Sequence, residues 1–439
     1  MILAHGLGGG SDLPISASSA VIGGCAALTV SFTVLLLAWR TPRFEGAAGS
    51  RLLVPKLTRF VDATVTRIML RLFGLVALGF AVWVAAAGPD EPSVNPLFGM
   101  FYVLLWVGLV PASLALGPVV KAVSPARSLT FAVSAALRID SGRPRVRLPQ
   151  WVGMWPAAVG LLAFVWTELV SPDGSTLATV STWLLVYVAA MVVGGCLFGT
   201  DWFEQADPFE VYSTLVAHLS IWRRNTHGVL EVVAPLRNLA GLTARPGLLA
   251  VTSVLLGSTA FDSFAGSTTW LRFTQSTSLD VALLETGLLL GVCALVAGLF
   301  WTATSIPARS ARVPRREMPG RLAHSLVPII VGYMTAHYLT LLVETGQQTL
   351  IQASDPLGTG QNLFGTADLQ VDIWLSLHPT VLASIKVLAI VIGHVLGVIA
   401  AHDRAITLLP SRDHSTAQLP LLFVMVSYTF AGLYLLFGL

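Results

Sequence analysis

Apolar residues fall in runs of about twenty, and the polar stretches between them hold nearly all of the arginines and lysines. A helix rises about 1.5 Å per residue, so about 20 apolar residues cross the roughly 30 Å hydrocarbon core of a bilayer. Ten windows reach that length, near residues 15–39, 68–88, 97–120, 151–170, 177–199, 247–265, 280–305, 324–350, 379–401 and 418–438. The pattern predicts an all-α fold: a polytopic transmembrane helical bundle with residues 1–439 as a single domain.

The basic residues test that register. Alternate loops, running from Arg40 to Arg67, Lys121 to Arg147, Arg223 to Arg245, Arg309 to Arg321, and through Arg404 and Arg412, hold 23 of the 26. The intervening loops hold Arg272 alone, while Arg71 and Lys386 lie inside spans. Cytoplasmic loops collect Lys and Arg, so this bias places the rich loops inside and both termini outside. No basic residue precedes the first apolar run, and Arg40 and Arg43 follow it directly. That order suits an anchored first helix better than a cleaved signal. Trp39, Trp151, Trp183, Trp301 and Trp374 sit near span ends, where interfacial belts form. The expected location is the plasma membrane, with the lipid bilayer as first partner.

Composition agrees. Charged residues make up 11% of the chain against about 25% in soluble domains, and the mean hydropathy is +0.75. The net charge of +3 gives no footprint for nucleic acid. Cys25, Cys196 and Cys293 stand singly in apolar runs, as buried small hydrophobes do.

The largest cytoplasmic loop spans 200–246. Asp207, Pro208 and Glu210 read as a cap, a first-turn proline and a first-turn acid. Phe209, Tyr212, Val216 and Leu219 then share a helix face, which predicts an amphipathic helix lying on the membrane surface. Asp201, Glu204, Asp207 and Glu210 make 201–222 acidic, which fits a capped, solvated loop helix or, as the alternative, a gating element or docking surface for a partner in a membrane complex. The pairs Gly195/Gly199, Gly287/Gly291 and Gly393/Gly397 have the spacing that lets helices approach closely.

Ionisable groups inside a membrane are costly unless paired or hydrated, so they mark candidate function. At about 1.5 Å per residue, Asp262, Glu285, Lys386 and His337 fall at similar depths in the outer half of the bilayer, with Glu344 and Glu168 nearer the outer surface. Tyr333, Glu344 and Gln348 lie within about 40° of His337 on an ideal helix, a single polar stripe. The carboxyls outweigh Lys386, so a shared site needs protons, water or a cation. A divalent metal such as zinc or manganese would accept His337 with carboxylates from Asp262, Glu285 and Glu344. Without a metal, Glu344 or Glu285 would act as base beside His337, with Lys386 stabilising an oxyanion.

Six stretches carry a family resemblance: AHGLGGGSDLP at 4–14, GTDWFEQADPFEVYS at 199–213, GSTAFDSF at 257–264, AHSLVPIIVGYMTAHYLTLLVETGQ at 323–347, DPLGTGQNLFGTAD at 355–368 and GHVLGVIAAHDRA at 393–405. They are distributed over nearly the whole chain. The sequence resembles bacterial polytopic membrane proteins named fenitrothion hydrolase, a family met often in actinobacteria. The resemblance implies cleavage of an organophosphate ester, an apolar substrate able to arrive through the membrane, and assigns no catalytic residues. The rival readings are a proton- or cation-coupled transporter, since five spans followed by five give halves of opposite orientation, and a non-catalytic subunit of a membrane complex.

Overall fold

The computed structural model describes residues 16–44, 52–138, 144–306, 312–410, 414 and 416–437. The first family motif, with His5 and Asp12, lies outside the described residues, as does the start of the first apolar window. The chain opens with α1 (Ala17–Ala38), β1 (Leu52–Leu53), α2 (Pro55–Asp62), α3 (Thr64–Ala87), α4 (Pro96–Leu105), α5 (Leu109–Leu116), α6 (Val119–Val123), α7 (Pro125–Ala136) and α8 (Trp155–Leu169). Next come α9 (Leu177–Phe198), α10 (Thr200–Ala206), α11 (Pro208–Ala217), β2 (Trp222–Arg224), β3 (Leu230–Val232), α12 (Pro235–Leu239), α13 (Leu248–Ala265), α14 (Thr268–Ser276) and α15 (Val281–Ser305). It ends with α16 (Met318–Leu322), α17 (Leu326–Thr340), α18 (Gly346–Gln352), α19 (Trp374–Leu377), α20 (Pro379–Leu408) and α21 (Leu419–Leu436).

The chain is a multi-pass, all-α membrane protein. Among the described residues, eight helical stretches are long and apolar enough to cross a bilayer, and nine if α4 and α5, bent by 48°, form one span. The remaining window, 151–170, holds α8, an apolar helix too short to pass that test. One stretch, Arg315–Gln352, runs through α16, α17 and α18 with a π-helical turn at Leu341–Thr345.

Contacts divide the chain into two compact units. The first holds α1, Ala234–Thr340 and the chain from Ile373 through α21; the second holds Ser50–Val233 with Leu341–Asp372. No composition shift marks the boundary, because both units are built from equally apolar helices.

In the first unit, α17 and α20 run against each other at a crossing of glycines. A β-carbon on Gly393 would lie 2.6 Å from the Pro328 carbonyl oxygen, and one on Gly397 would lie 2.7 Å from that of Ser325. From the other side, Gly332 abuts the Ala389 carbonyl. This is the close approach expected of small residues four apart. The pair Gly287/Gly291 differs: nothing stands within 4 Å of either position, so it makes no helix contact among the described residues. The end of α20 also anchors α1. Buried Asp403 accepts the Arg43 amide (2.6 Å), the Phe44 amide (3.1 Å) and the Trp39 indole (3.1 Å), while His402 bonds the Trp39 carbonyl (2.9 Å).

The second unit corrects the reading of 200–246. Helix α9 ends at Gly199, whose φ of +70° is left-handed backbone that glycine adopts without strain. There the chain reverses, and α10 runs back along α9, with Gly194 making room for Trp202 and Gly195 for Phe203. Asp207 then meets the Tyr187 hydroxyl, which donates to it at 3.0 Å. Tyr187 lies three turns before the end of α9, so Asp207 sits about 16 Å inside that end at 1.5 Å per residue. The cap itself is as expected: Asp207 accepts the Phe209 and Glu210 amides and Pro208 opens α11. However, α11 is buried among α5, α6 and α8 and does not present one face to a membrane surface. Segment 199–217 is a helical hairpin folded back into its own unit. The backbone break at Asp207 is tolerated there because the carboxylate satisfies the freed amides.

β1, β3 and β2 form a small antiparallel sheet in this unit, with buried Glu231 held by Arg223 at 2.6 Å. Nearby, Arg224 and Arg67 bond the Asp62 carboxyl and hold it below its ordinary range.

The two glycine environments predict opposite outcomes. Gly393→Ala overpacks the α17–α20 crossing and should cost about 1–3 kcal/mol, whereas Gly287→Ala should be neutral or slightly stabilising. Thermal unfolding of both variants in one detergent checks this, and equal shifts would rule out the tight crossing.

Candidate functional site

The C-terminal turns of α13 carry Asp262 and Ser263, and the facing side of α17 carries Tyr333, His337 and Tyr338. Tyr333 and His337 are four apart and so lie one above the other on α17. Asp262 and Ser263 are consecutive, about 100° apart around α13, and they reach different nitrogens of the same imidazole. His337 Nε2 lies 2.9 Å from Asp262 Oδ2, and His337 Nδ1 lies 3.1 Å from Ser263 Oγ. Tyr338 donates to Asp262 Oδ2 at 2.7 Å, and Tyr333 donates to Ser263 Oγ at 2.8 Å. A continuous hydrogen-bonded line thus runs Tyr333–Ser263–His337–Asp262–Tyr338. Ser263, His337 and both tyrosines are buried, while the Asp262 side chain keeps 17% exposure.

The chemistry follows from proton counting. A carboxylate that accepts from Tyr338 also accepts from His337 Nε2–H, which leaves Nδ1 as a base toward Ser263. The single hydroxyl hydrogen of Ser263 has two acceptors in reach, the Thr259 carbonyl at 3.0 Å and Nδ1 at 3.1 Å. A small shift of that hydrogen joins a nucleophile to a base that a carboxylate orients, the arrangement used in covalent acyl and phosphoryl transfer.

Beside this line lies a cavity of about 430 Å³ within the same unit. Its walls come from Leu256, Ala260 and Phe264 of α13, from α15, and from α21, with Tyr333 and His394 as polar members. Its rim includes exposed Leu295, Leu299 and Ala431, so it opens on the apolar exterior of the unit. Tyr333 belongs to both cavity and line.

His337 and Asp262 meet. Glu285 instead accepts the Trp270 indole at 3.2 Å. Glu344 and Glu168 belong to the second unit, Glu344 within the π-helical turn. That turn breaks the predicted polar stripe, because an i→i+5 turn delays the rotation on which the ideal-helix spacing depends. Lys386 is buried on α20, just under one turn from Ala389 at the glycine crossing, and so stands near the level of Thr335. Among the described residues no three His, Cys, Asp or Glu side chains come together to hold a metal. Of the set His337, Asp262, Glu285 and Glu344 proposed for zinc or manganese, His337 and Asp262 pair with each other, and that donor pair alone does not make the site.

Ser263 and Tyr338 are the additions that sequence reasoning did not make. A serine next to an intramembrane aspartate is a weak signal, and Tyr338 lies off the stripe that drew attention to α17.

The acids of 201–222 are largely bound within the second unit and do not form an open docking face. Glu204 pairs with Lys121 at 2.6 Å. Buried Glu210 takes both Arg127 Nε and Nη2 at 2.6 Å, and the guanidinium covers the Phe203 ring at 4.6 Å. Removing one partner of such a pair strands a buried charge. Arg127→Ala should destabilise the protein by about 3–5 kcal/mol, and Arg127→Met combined with Glu210→Met should recover most of that loss. Unfolding of the three proteins in detergent checks the pair; additive losses in the double variant would refute this account.

Compared with protein-family models, curated proteins and solved structures, the chain matches none.

Proposed function

We propose that this membrane protein is a hydrolase of apolar phosphoester-like substrates, working from the line of Ser263, His337 and Asp262. The observation that carries the reading is the imidazole of His337 held between a hydroxyl and a carboxylate, at 3.1 Å and 2.9 Å. The family resemblance supplies the substrate class, and the neighbouring apolar cavity supplies a route from the membrane to Tyr333, which bonds Ser263.

In the reaction, Ser263 Oγ attacks phosphorus as its proton passes to His337 Nδ1. Asp262 stays ionised and stabilises the imidazolium through Nε2–H. The bond from phosphorus to the leaving oxygen breaks, and that oxygen takes the proton from Nδ1. Water, deprotonated by the same nitrogen, then cleaves the phosphoserine ester and restores the hydroxyl. Tyr333, whose phenol reaches Ser263 Oγ, is placed to donate to the phosphoryl oxygen.

A second reading, proton-coupled transport, is favoured by one feature of the same line. Its members are buried except at Asp262, so a proton could enter at the carboxylate and be held by the imidazole.

The two readings separate experimentally. As a hydrolase, the purified chain in detergent releases nitrophenolate from diethyl 4-nitrophenyl phosphate. Ser263→Ala and His337→Ala should lose at least about 10³-fold, and Asp262→Asn about 10²–10⁴-fold, as triads do. Slowed turnover should leave a diethylphosphoryl adduct on Ser263, read by peptide mass spectrometry. Absence of both turnover and adduct would overturn the hydrolase. Proton uptake into sealed vesicles that is lost in Asp262→Asn would then establish the transport reading.

A further inference from the structure

His394, which lines the cavity of the first unit, has one ring nitrogen that no described residue satisfies. It stands on α20 and is 2% exposed. Its Nδ1 lies 2.8 Å from the Ile390 carbonyl. A carbonyl cannot donate, so Nδ1 carries the hydrogen and Nε2 keeps its lone pair. Nε2 is buried without a hydrogen-bond partner among the described residues. The other polar groups of the cavity are engaged: Tyr333 donates to Ser263, Ser427 to the Phe423 carbonyl and Tyr428 to the Val296 carbonyl. The remaining lining is aliphatic or aromatic.

A buried acceptor left unpaired costs free energy comparable to a lost hydrogen bond, and more so in lipid, where no bulk water can repair it. One resident water is a poor remedy. A buried water needs two to four polar partners, and here a single open acceptor is offered. A lipid acyl chain would fill the volume and leave the imidazole unpaired. The complement that satisfies both the walls and the nitrogen is an apolar body with one O–H donor. A volume of about 430 Å³ is in the range of small-molecule sites, and the rim at Leu295, Leu299 and Ala431 admits such a molecule from the apolar exterior.

We propose that this cavity is a binding site for a membrane-dissolved phenol or alcohol, whose hydroxyl donates to His394 Nε2 while its apolar body lies between α13, α15 and α21. The hydrolase reading uses the same cavity as the substrate's route to Tyr333, but no step of the reaction uses His394, on which this site rests.

Two probes of nearly equal shape test it, 4-hexylphenol and hexylbenzene, which differ in the O–H group. Equilibrium dialysis against the full-length protein in detergent gives a dissociation constant for each. The wild type should bind the phenol about three- to tenfold more tightly, the range one net hydrogen bond supplies. His394→Leu should erase that preference, and His394→Gln, which restores an acceptor, should recover part of it. Ala260→Phe, which fills the cavity from α13, should weaken both probes together and covers the case in which the histidine variants fail to fold. Ser263→Ala should keep the preference, which separates failure of this site from failure of the reaction. Equal affinity of wild type for the two probes would overturn the proposal in favour of an acyl-chain cavity. A preference that survives in His394→Leu, or binding untouched by Ala260→Phe, would overturn it by placing the phenol elsewhere.

Discussion

Helices α17 and α20 lie in contact because three glycines remove the side chains that would hold them apart. Gly332, Gly393 and Gly397 each face a backbone carbonyl of the opposite helix at a distance that no β-carbon could share. In lipid, helices gain little from excluding apolar surface, so such backbone-level packing must supply much of their association. The placement of the polar groups on α17 and α20 follows from it. Once α17 is fixed against α20, His337 and Tyr333 turn toward α13, and His394 reaches the space between α13, α15 and α21. Widening the crossing by one methyl group would displace both sets of groups together.

How far the fold could be read from residues depended on scale. The spans were legible because twenty-residue apolar windows and alternating basic loops are long signals, and each reinforces its neighbour. The cap at Asp207 was legible because its chemistry is local: an acid, a proline and another acid within four positions. The destination of the helix after it was not. Ten residues with Phe209, Tyr212 and Val216 on one face look alike on a membrane surface and inside a bundle. The reversal depends on the left-handed turn at Gly199 and on room made by Gly194 and Gly195, which one chain read alone does not reveal as a pair of facing surfaces.

The candidate site shows the same limit in another form. Depth along a helix is additive in residue number, and Asp262 and His337 were rightly expected at one level. Rotation around a helix is additive only while the turn stays regular. The π-helical turn at Leu341–Thr345 interrupts that sum between His337 and Glu344. Lateral placement is not encoded in residue number at all, and Glu285 accepts the Trp270 indole. The partner that does meet His337 Nδ1 is a serine, a residue too common in helices to stand out by type.

The exposed rim at Leu295, Leu299 and Ala431 fixes the concentration scale on which anything entering that cavity must be counted. A molecule that arrives through the hydrocarbon is present at its mole fraction among lipids or detergent, not at its molarity in buffer. Adding empty micelles at constant total solute would therefore thin it out in two dimensions and lower occupancy, although nothing about the protein had changed. Apparent affinities from different preparations become comparable only after correction for this surface dilution.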